Sequence, residues 1–420
     1  MHTGQHRTRT LWLTGTLHAF THLYQVALMP LYLLIQRDFH FQSVGKATLL
    51  LTVLMVACFG PSYPIGVLAD RGNRKTLLSL GLALNGLGFM ALAYAPSYGL
   101  ALTAVAVAGF GGSFYHPAAT AMVSKLFPGQ TGKALGLVGI GAGVGFFLGP
   151  VYAGWRAAQL EPVLGAAAWR VPVRELGIAG VLMALAFAWL AQAEQRTDTH
   201  LQRKQVPLFP APSLWGWFAG YCFAFSLRDF AGASMASLGS LFVQNVHGFN
   251  PKATGLALSG IFVASIVSNP LFGSLSDRGR KRWIALTILV AATMIALFPN
   301  VPAAWTVPVY IIYGFFFMAS YPMTEAALME SVPDAVRGRV FGLFVMTGGV
   351  IGNLSHWAVG AKSRSLGAAV HNASSYFLIY LGLSLLLAIS LIGLLCVDPI
   401  RRREGKQPVL AESDSTPLLT

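Results

Sequence analysis

The stretch Gly66-Val-Leu-Ala-Asp70-Arg71 decides the fold, because it recurs as Gly273-Ser-Leu-Ser-Asp277-Arg278 at an offset of 207 residues, from Asp70 to Asp277. A second pair of motifs repeats at an offset of 206 residues, Gly132-Lys133-x-x-Gly136-Leu137 and Gly338-Arg339-x-x-Gly342-Leu343. Two halves of about 200 residues that carry the same motifs indicate an internal duplication. The sequence therefore predicts two structural units of the same kind.

The composition is that of a membrane protein. Of the 420 residues, 55% are hydrophobic and 10% are charged, whereas soluble domains are about 25% charged. Apolar runs of about 20 residues, each long enough to cross the hydrocarbon core as a helix, recur along the chain. We therefore expect an all-α membrane protein with 12 transmembrane helices in two pseudo-symmetric six-helix bundles. The predicted spans are 10–36, 44–68, 77–95, 98–125, 132–155, 173–193, 213–245, 252–276, 282–299, 303–331, 337–361 and 371–397.

The charge distribution predicts the orientation in the membrane. The net charge of +14 could indicate a nucleic acid partner, but the basic residues concentrate in alternate loops, which is the positive-inside pattern. We therefore expect no nucleic acid partner, a multi-pass protein within the lipid bilayer of a bacterial inner membrane, and both termini in the cytoplasm. The expected domains are an N-terminal bundle (1–195), a cytoplasmic linker (196–212), a C-terminal bundle (213–397) and a cytoplasmic tail (398–420).

The repeated motif resembles the loop between helices 2 and 3 of the major facilitator superfamily, with Gly-x-x-x-Asp-Arg-x-x-Arg-Lys at 66–75. Glycine permits a tight turn, and a carboxylate at a helix end can hold nearby arginines. The resemblance implies a cytoplasmic gate. The alternative is that the basic residues only fix the topology. The implied gate residues are Asp70, Arg71, Arg74, Asp277 and Arg278.

Helix 5 carries Gly145, Gly149 and Pro150, which is similar to the pattern of drug–proton antiporters in the same superfamily. The prolyl ring bends a helix, and the glycines are expected to allow close packing against a partner helix across the two halves. The resemblance favours export. The alternative is a packing face that carries no information about the direction of transport.

Helices 1 and 4 resemble the fosmidomycin-resistance branch of these transporters. The motif His18-x-x-Thr-His22-x-Tyr24 is followed in helix 4 by Phe-Tyr115-His116-Pro. Aspartate is typical of that branch at the position of His22. The resemblance implies a carrier for a drug or an organic anion.

Polar side chains inside the predicted spans are candidates for the transport site, because an ionisable group at bilayer depth costs several kcal/mol unless it faces a wet cavity or a partner. His18 and His22 share one face of helix 1, and Arg228 lies 206 residues after His22, at the corresponding position of the second half. The candidate substrate-binding residues are His18, His22, Tyr24, Gln25, Tyr115, His116, Arg228, Tyr321, Asn353 and His356.

Three charged residues suggest the chemistry of the site. Arg228 could hold a phosphate, phosphonate or carboxylate group by a two-pronged contact, and Asp229 and Glu325 could each carry a proton between the two sides of the membrane. In the alternative interpretation, Arg228 pairs with an acid elsewhere, such as Glu325, and only locks helices together.

These features predict a secondary active transporter that works by alternating access, and not an enzyme. We expect proton-coupled efflux of a small molecule of drug or organic-anion type by a monomer. The alternative within transport is uptake or exchange of an organic anion such as a sugar phosphate or carboxylate. ATP is not expected as the energy source, since no Gly-x-x-x-x-Gly-Lys-Ser/Thr motif is present.

A metal carrier or membrane-embedded enzyme that uses His18, His22 and His116 is the interpretation from a different class. Two histidines four residues apart can ligate zinc, but no His-Glu-x-x-His motif and no cysteine cluster accompany them. We therefore expect no metal and no cofactor.

Overall fold

The structure of the protein, a computed structural model, describes residues 2–193 and 207–404, and all regular secondary structure in these ranges is helical. The α-helices are α1 (His2–Val26), α2 (Tyr32–Asp38), α3 (Gly45–Phe59), α4 (Ser62–Arg71), α5 (Arg74–Tyr94), α6 (Tyr98–Gly112), α7 (Tyr115–Leu126), α8 (Thr131–Leu164), α9 (Arg170–Leu190), α10 (Pro212–Asn245), α11 (Pro251–Val263), α12 (Ser265–Ser276), α13 (Arg280–Leu297), α14 (Thr306–Met329), α15 (Asp334–Leu366), α16 (Phe377–Ile389) and α17 (Leu394–Glu404). Short 3₁₀ helices lie at Met29–Leu31, Gly165–Trp169, Phe298–Asn300, Ala303–Trp305, Gly367–His371, Ala373–Tyr376 and Ser390–Gly393.

The order of these helices along the chain matches the order of the predicted spans. Several predicted spans each consist of two helices. The first span breaks at the 3₁₀ helix Met29–Leu31, where Pro30 stands at the start of the new turn. Proline lacks the backbone N–H that would continue an α-helix, so the chain changes direction there. The fifth span extends beyond its predicted end at 155, because α8 continues to Leu164.

Eight helical stretches in the described ranges are long and apolar enough to cross a membrane. One of them, Lys133–Leu190, includes two predicted spans. Helices α1, α10 and α15 are not among the eight. These three helices carry most of the polar candidate residues, which lowers their hydropathy. Their absence from the eight stretches is therefore compatible with membrane-spanning helices that line a polar interior.

The helices form two bundles that meet along two pairs of helices. Within the first half α1 packs on α8 and α5 on α9, and within the second α10 packs on α15 and α11 on α14. Across the halves α8 packs on α11 and α3 on α15. An all-helical structure with this arrangement confirms the predicted fold class.

Glycines permit the closest approach between the halves. A side-chain carbon at Gly154 would collide with the carbonyl oxygen of Pro251, and one at Gly255 would collide with the carbonyl oxygen of Pro150. Gly145 and Gly149 instead approach the backbone of α1 within their own half. The helix-5 glycines therefore serve contacts inside one half as well as the crossing of α8 with α11.

The two halves contact each other closely near one end of the molecule. We call the end with the α4–α5 and α12–α13 loops the inner end, and the opposite one the outer end. Near the outer end Gly45 packs directly on Gly360 across the halves. Near the inner end a side chain added at Gly136, Gly139 or Gly342 would meet open space. The close contact between the halves is therefore established for the outer end.

The predicted linker at 196–212 lies outside the described residues from 196 to 206, as does the predicted tail from 405 onwards. Helix α17 continues through the predicted start of the tail at 398 as far as Glu404. The domain boundaries otherwise stay predictions.

Candidate transport site

Three histidines from two helices of the first half form a cluster, which we call the histidine triad: His18 and His22 of α1, and His116 of α7. The Nε2 atoms of His18 and His22 are 3.0 Å apart. The His116 ring lies 5.4 Å from each of the other two rings, measured between centroids. One ligand nitrogen from each residue lies within 4.8 Å of the others.

The Nδ1 atoms of His18 and His22 each form a hydrogen bond with an oxygen acceptor, which fixes the orientation of the two rings. The Nδ1 atom of His18 lies 2.9 Å from the carbonyl oxygen of Val138, and that of His22 lies 2.8 Å from Oε1 of Gln25. A carbonyl oxygen can only accept, so each Nδ1 atom carries the hydrogen. In the neutral rings the two Nε2 atoms therefore present lone pairs to each other.

Aromatic rings place the triad between the halves rather than against lipid. His18 stacks on Tyr115 at 4.7 Å, and His22 lies 4.2 Å from Phe146. Phe146 in turn stacks on Phe262 of the second half at 4.6 Å.

Of the predicted tyrosines of the first half, Tyr115 borders the histidine triad and Tyr24 does not. Tyr115 borders the triad, and its hydroxyl donates to the carbonyl oxygen of Thr14 at 2.9 Å. Tyr24 is fully buried, and its hydroxyl donates to the carbonyl oxygen of Leu176 at 2.8 Å. The structure does not bring Tyr24 to the triad, because its ring points to α9 within the first half. Gln25 does adjoin the triad through His22.

In the second half, Arg228 of α10 pairs with its neighbour Asp229. The Nε and Nη2 atoms of Arg228 lie 3.0 and 2.8 Å from Oδ1 of Asp229. The Nη1 atom donates to Oγ1 of Thr324 at 2.6 Å, and the guanidinium carbon lies 3.9 Å from the centre of the Tyr321 ring. The Arg228 side chain is 1% exposed. Protein groups therefore contact both the N–H edges of the guanidinium and one face of its plane. This favours the interpretation in which Arg228 locks helices together over the one in which it binds an anionic substrate.

Asp229 fits into a groove made by glycines of α15. A side-chain carbon at Gly348 would touch Oδ2 of Asp229, and one at Gly352 would touch its Cβ. The Asp229 side chain is 18% exposed, so one part of the ion pair remains accessible from the space between the halves.

Glu325 of α14 stands near this ion pair but outside it. It is half-buried and close enough to interact electrostatically with Arg228 and Asp229. Within the part of the chain that the structure describes, no hydrogen bond or ion pair to Glu325 is found. In the alternative interpretation Arg228 pairs with an acid elsewhere, such as Glu325, whereas the acid that it contacts is Asp229.

A buried chain of hydrogen bonds links the halves on the outer side of the site. The Tyr32 hydroxyl lies 2.9 Å from Oγ of Ser237, which lies 2.7 Å from Nδ1 of His356. The Nε2 atom of His356 lies 3.0 Å from Oδ1 of Asn353, whose amide donates to the carbonyl oxygen of Gly349 at 2.6 Å. We call this series the outer chain. It places Asn353 and His356 in the closure of the outer end rather than beside Arg228.

Sequence reasoning missed Tyr32 and Ser237. A usable signal was present in α10, where Ser234, Ser237 and Ser240 recur every three residues and so share one helical face. Ser240 also crosses the halves, donating to the carbonyl oxygen of Met29 at 2.7 Å.

At the inner end, two ion pairs of the predicted gate each join residues of the same half. Asp70 lies 4.0 Å from Arg74, whose Nε atom donates to the carbonyl oxygen of Ala69 at 3.0 Å. In the second half Asp277 lies 3.3 Å from Arg280, which also pairs with Glu330. The carboxylates are well exposed. The pair of Arg280 with Glu330 joins the start of α13 to the end of α14, and the gate role of Arg71 and Arg278 stays a prediction.

A helical membrane protein of two related halves, with polar side chains gathered between them and one end closed, defines a membrane transporter for small molecules, not an enzyme. The chain belongs to the Major Facilitator Superfamily, whose family model matches residues 11–355, more than half of its length. The family resemblance drawn from the sequence is thereby confirmed.

Named relatives are consistent with this assignment. The fosmidomycin resistance protein of Escherichia coli (strain K12) is 26% identical over 340 residues, which are 78% of this chain and 79% of that protein. The multidrug resistance protein MdtG of Serratia proteamaculans (strain 568) is 27% identical over 326 residues, covering 74% of this chain and 76% of that one. In fold, the chain matches a bacterial homolog of the human lysosomal transporter Spinster, in an inward-facing and unoccupied conformation, with a TM-score of 0.71, 16% identity, and coverage of 96% and 98%.

Proposed function

We propose that the protein is a proton-coupled exporter of a small drug-like or organic-anion compound in a bacterial inner membrane, with both termini in the cytoplasm, working as a monomer. The resistance proteins named above support export. The observation that carries the proposed coupling is the position of Glu325, an acid beside a closed ion pair and without a bond of its own among the described residues.

The ion pair assigns different roles to the two acids. Asp229 faces a buried guanidinium at 2.8 Å, so removing its charge would leave that guanidinium uncompensated. Glu325 can take up and release a proton without breaking such a pair. It also lies on α14 one turn closer to the inner end than Tyr321. Glu325 is therefore the proposed proton carrier, and Arg228 with Asp229 the proposed charge-balanced wall of the site.

The experiment compares Glu325→Gln with Glu330→Gln in proteoliposomes, with fosmidomycin as the first substrate tested. We expect Glu325→Gln to abolish accumulation driven by a pH gradient while keeping exchange of labelled for unlabelled substrate, because exchange needs no net proton movement. Glu330 is an exposed acid of the same helix end, and its substitution is expected to leave both activities in place. Full gradient-driven transport by Glu325→Gln would exclude this residue as the carrier.

Uptake or exchange of an organic anion is the second candidate. It is favoured by the histidine triad together with Arg228, which give the site more cationic than anionic groups if the rings take up protons. Counterflow with a sugar phosphate against counterflow with fosmidomycin distinguishes the two functions. Counterflow of the sugar phosphate alone, without drug transport, would support the second candidate and contradict export.

A further inference from the structure

We propose that His18, His22 and His116 form a binding site for one divalent transition-metal ion of the Zn²⁺ and Co²⁺ type on the wall of the transport site. The sequence alone led us to expect no metal, because no His-Glu-x-x-His motif and no cysteine cluster accompany these three histidines. The fold supplies the third ligand by bringing α7 against α1. The proposal concerns the binding of an ion and does not depend on the transported substrate or on its direction.

The distances in the triad suit metal coordination. Zinc binds histidine nitrogens at about 2.0–2.1 Å, so two nitrogens in a tetrahedral site lie about 3.3 Å apart. The facing Nε2 atoms of His18 and His22 are 3.0 Å apart, and the nitrogens of the whole triad lie within 4.8 Å of each other. Small rotations of the rings would therefore suffice to close around an ion.

The hydrogen bonds around the triad are those that ligating histidines make. A metal-bound histidine usually donates its other ring N–H to a carbonyl or carboxylate, which fixes the ring and its tautomer. His18 does so with the carbonyl oxygen of Val138, and His22 with Oε1 of Gln25. Two lone pairs at 3.0 Å repel each other unless a cation lies between them. The site is thus arranged in advance for a positively charged occupant.

The donor set selects the class of ion. Three imidazole nitrogens suit zinc, copper, nickel and cobalt, whereas magnesium and calcium require oxygen ligands. Three neutral ligands also leave the full charge of the ion in place and a fourth position for water or an anionic group. His22 also adjoins Phe146, at the contact between the halves, so the triad lies beside the second half.

The test measures Co²⁺ binding to the full-length protein in nanodiscs, without a polyhistidine tag. Tetrahedral nitrogen coordination gives visible Co²⁺ absorption bands, and elemental analysis after removal of free Zn²⁺ gives the stoichiometry. We expect one ion per chain, and at least about tenfold weaker binding for His116→Gln and for Gln25→Leu, which removes an acceptor that orients a ligand. His371→Gln is the matched control, because His371 is exposed and far along the chain from the triad, in contact with Asn245.

The possible outcomes separate clearly. Less than one ion per chain, or Co²⁺ affinity that is unchanged in both His116→Gln and Gln25→Leu, would overturn the proposal. If His116→Gln does not fold, as judged by its elution as a monodisperse species, Gln25→Leu keeps the test valid because it leaves all three rings in place. Binding is measured without transport, so a negative result leaves the proposed function as it stands.

Discussion

Neutralising Asp229 should destabilise the protein through Arg228 rather than through any contact of its own. In the Asp229→Asn variant the guanidinium of Arg228 remains almost completely buried, at 1% exposure, and loses the carboxylate that both Nε and Nη2 now contact. Breaking a buried ion pair from one side costs about 3–5 kcal/mol, most of it from the uncompensated charge. We therefore expect Asp229→Asn to lower the free energy of unfolding by about 3 kcal/mol or more.

The double variant Arg228→Met/Asp229→Asn separates this effect from a general loss of packing. It removes both charges, so no buried charge is left uncompensated, and its cost should be well below the sum of the two single variants. A coupling of about 2–3 kcal/mol would be typical of residues within one buried network. Glu325→Gln is the matched control, because Glu325 lies nearby without a hydrogen bond or ion pair among the described residues, and its substitution should change stability by less than about 1 kcal/mol.

The assay is reversible unfolding of the protein in bicelles, measured by steric trapping, for the wild type and these variants. Equal stability of Asp229→Asn and the wild type would refute the interpretation of the pair as a structural lock. So would additivity of the two single variants, because it would mean that the residues do not depend on each other.

Further variants test the outer closure, helix packing and the inner end. Tyr32→Phe removes the hydrogen bond between Tyr32 and Ser237, which joins the halves and is worth about 1 kcal/mol. The fraction of molecules with an open outer end should therefore rise about fivefold, as measured by spin-label distances across that end. An unchanged distance distribution would contradict this. Gly145→Val overlaps the α1 backbone and should cost about 2 kcal/mol of stability, while Gly136→Ala, in open space, serves as its control and should not. Glu330→Gln breaks an exposed pair with Arg280 and should change transport in vesicles less than twofold, because exposed pairs contribute little; a larger loss would give this pair a role in the gate.

The duplication made the fold predictable, because a nearly constant offset of 206 or 207 residues relates motifs that lie far apart in the chain. The positions where the helices break were less accessible. Pro30 could have indicated the interruption at Met29–Leu31, but the extension of α8 to Leu164 depends on pairing that only the folded chain supplies. Arg156, beyond the expected end of that helix, forms an ion pair with Glu175 of α9 at 3.0 Å. A charged segment that reads as a loop is thus held as a helix by a distant partner.

The candidate site was predictable as a set of residues but not as a set of contacts. Arg228 and Asp229 are adjacent in sequence, and adjacent residues on a helix point about 100° apart, so their pairing depends on the long arginine side chain bending back. His116 joins His18 and His22 only through the packing of α7 on α1. Tyr32 and Ser237 carry no charge, and their importance appears only where the two halves meet. Sequence reasoning therefore finds polar groups in an apolar helix, whereas their partners are decided by tertiary packing.

The outer end is held shut by uncharged groups, and this has a consequence for how the transporter should respond to its surroundings. The bonds that cross between the halves there involve hydroxyl and carbonyl oxygens, such as Ser240 with Met29 and Ser259 with the carbonyl oxygen of Phe147 at 2.8 Å. Dissolved ions weaken attraction between exposed charges but have little effect on buried neutral dipoles. The closure of the outer end should therefore persist from dilute to concentrated electrolyte, so that the cell's ionic conditions leave these contacts unaltered.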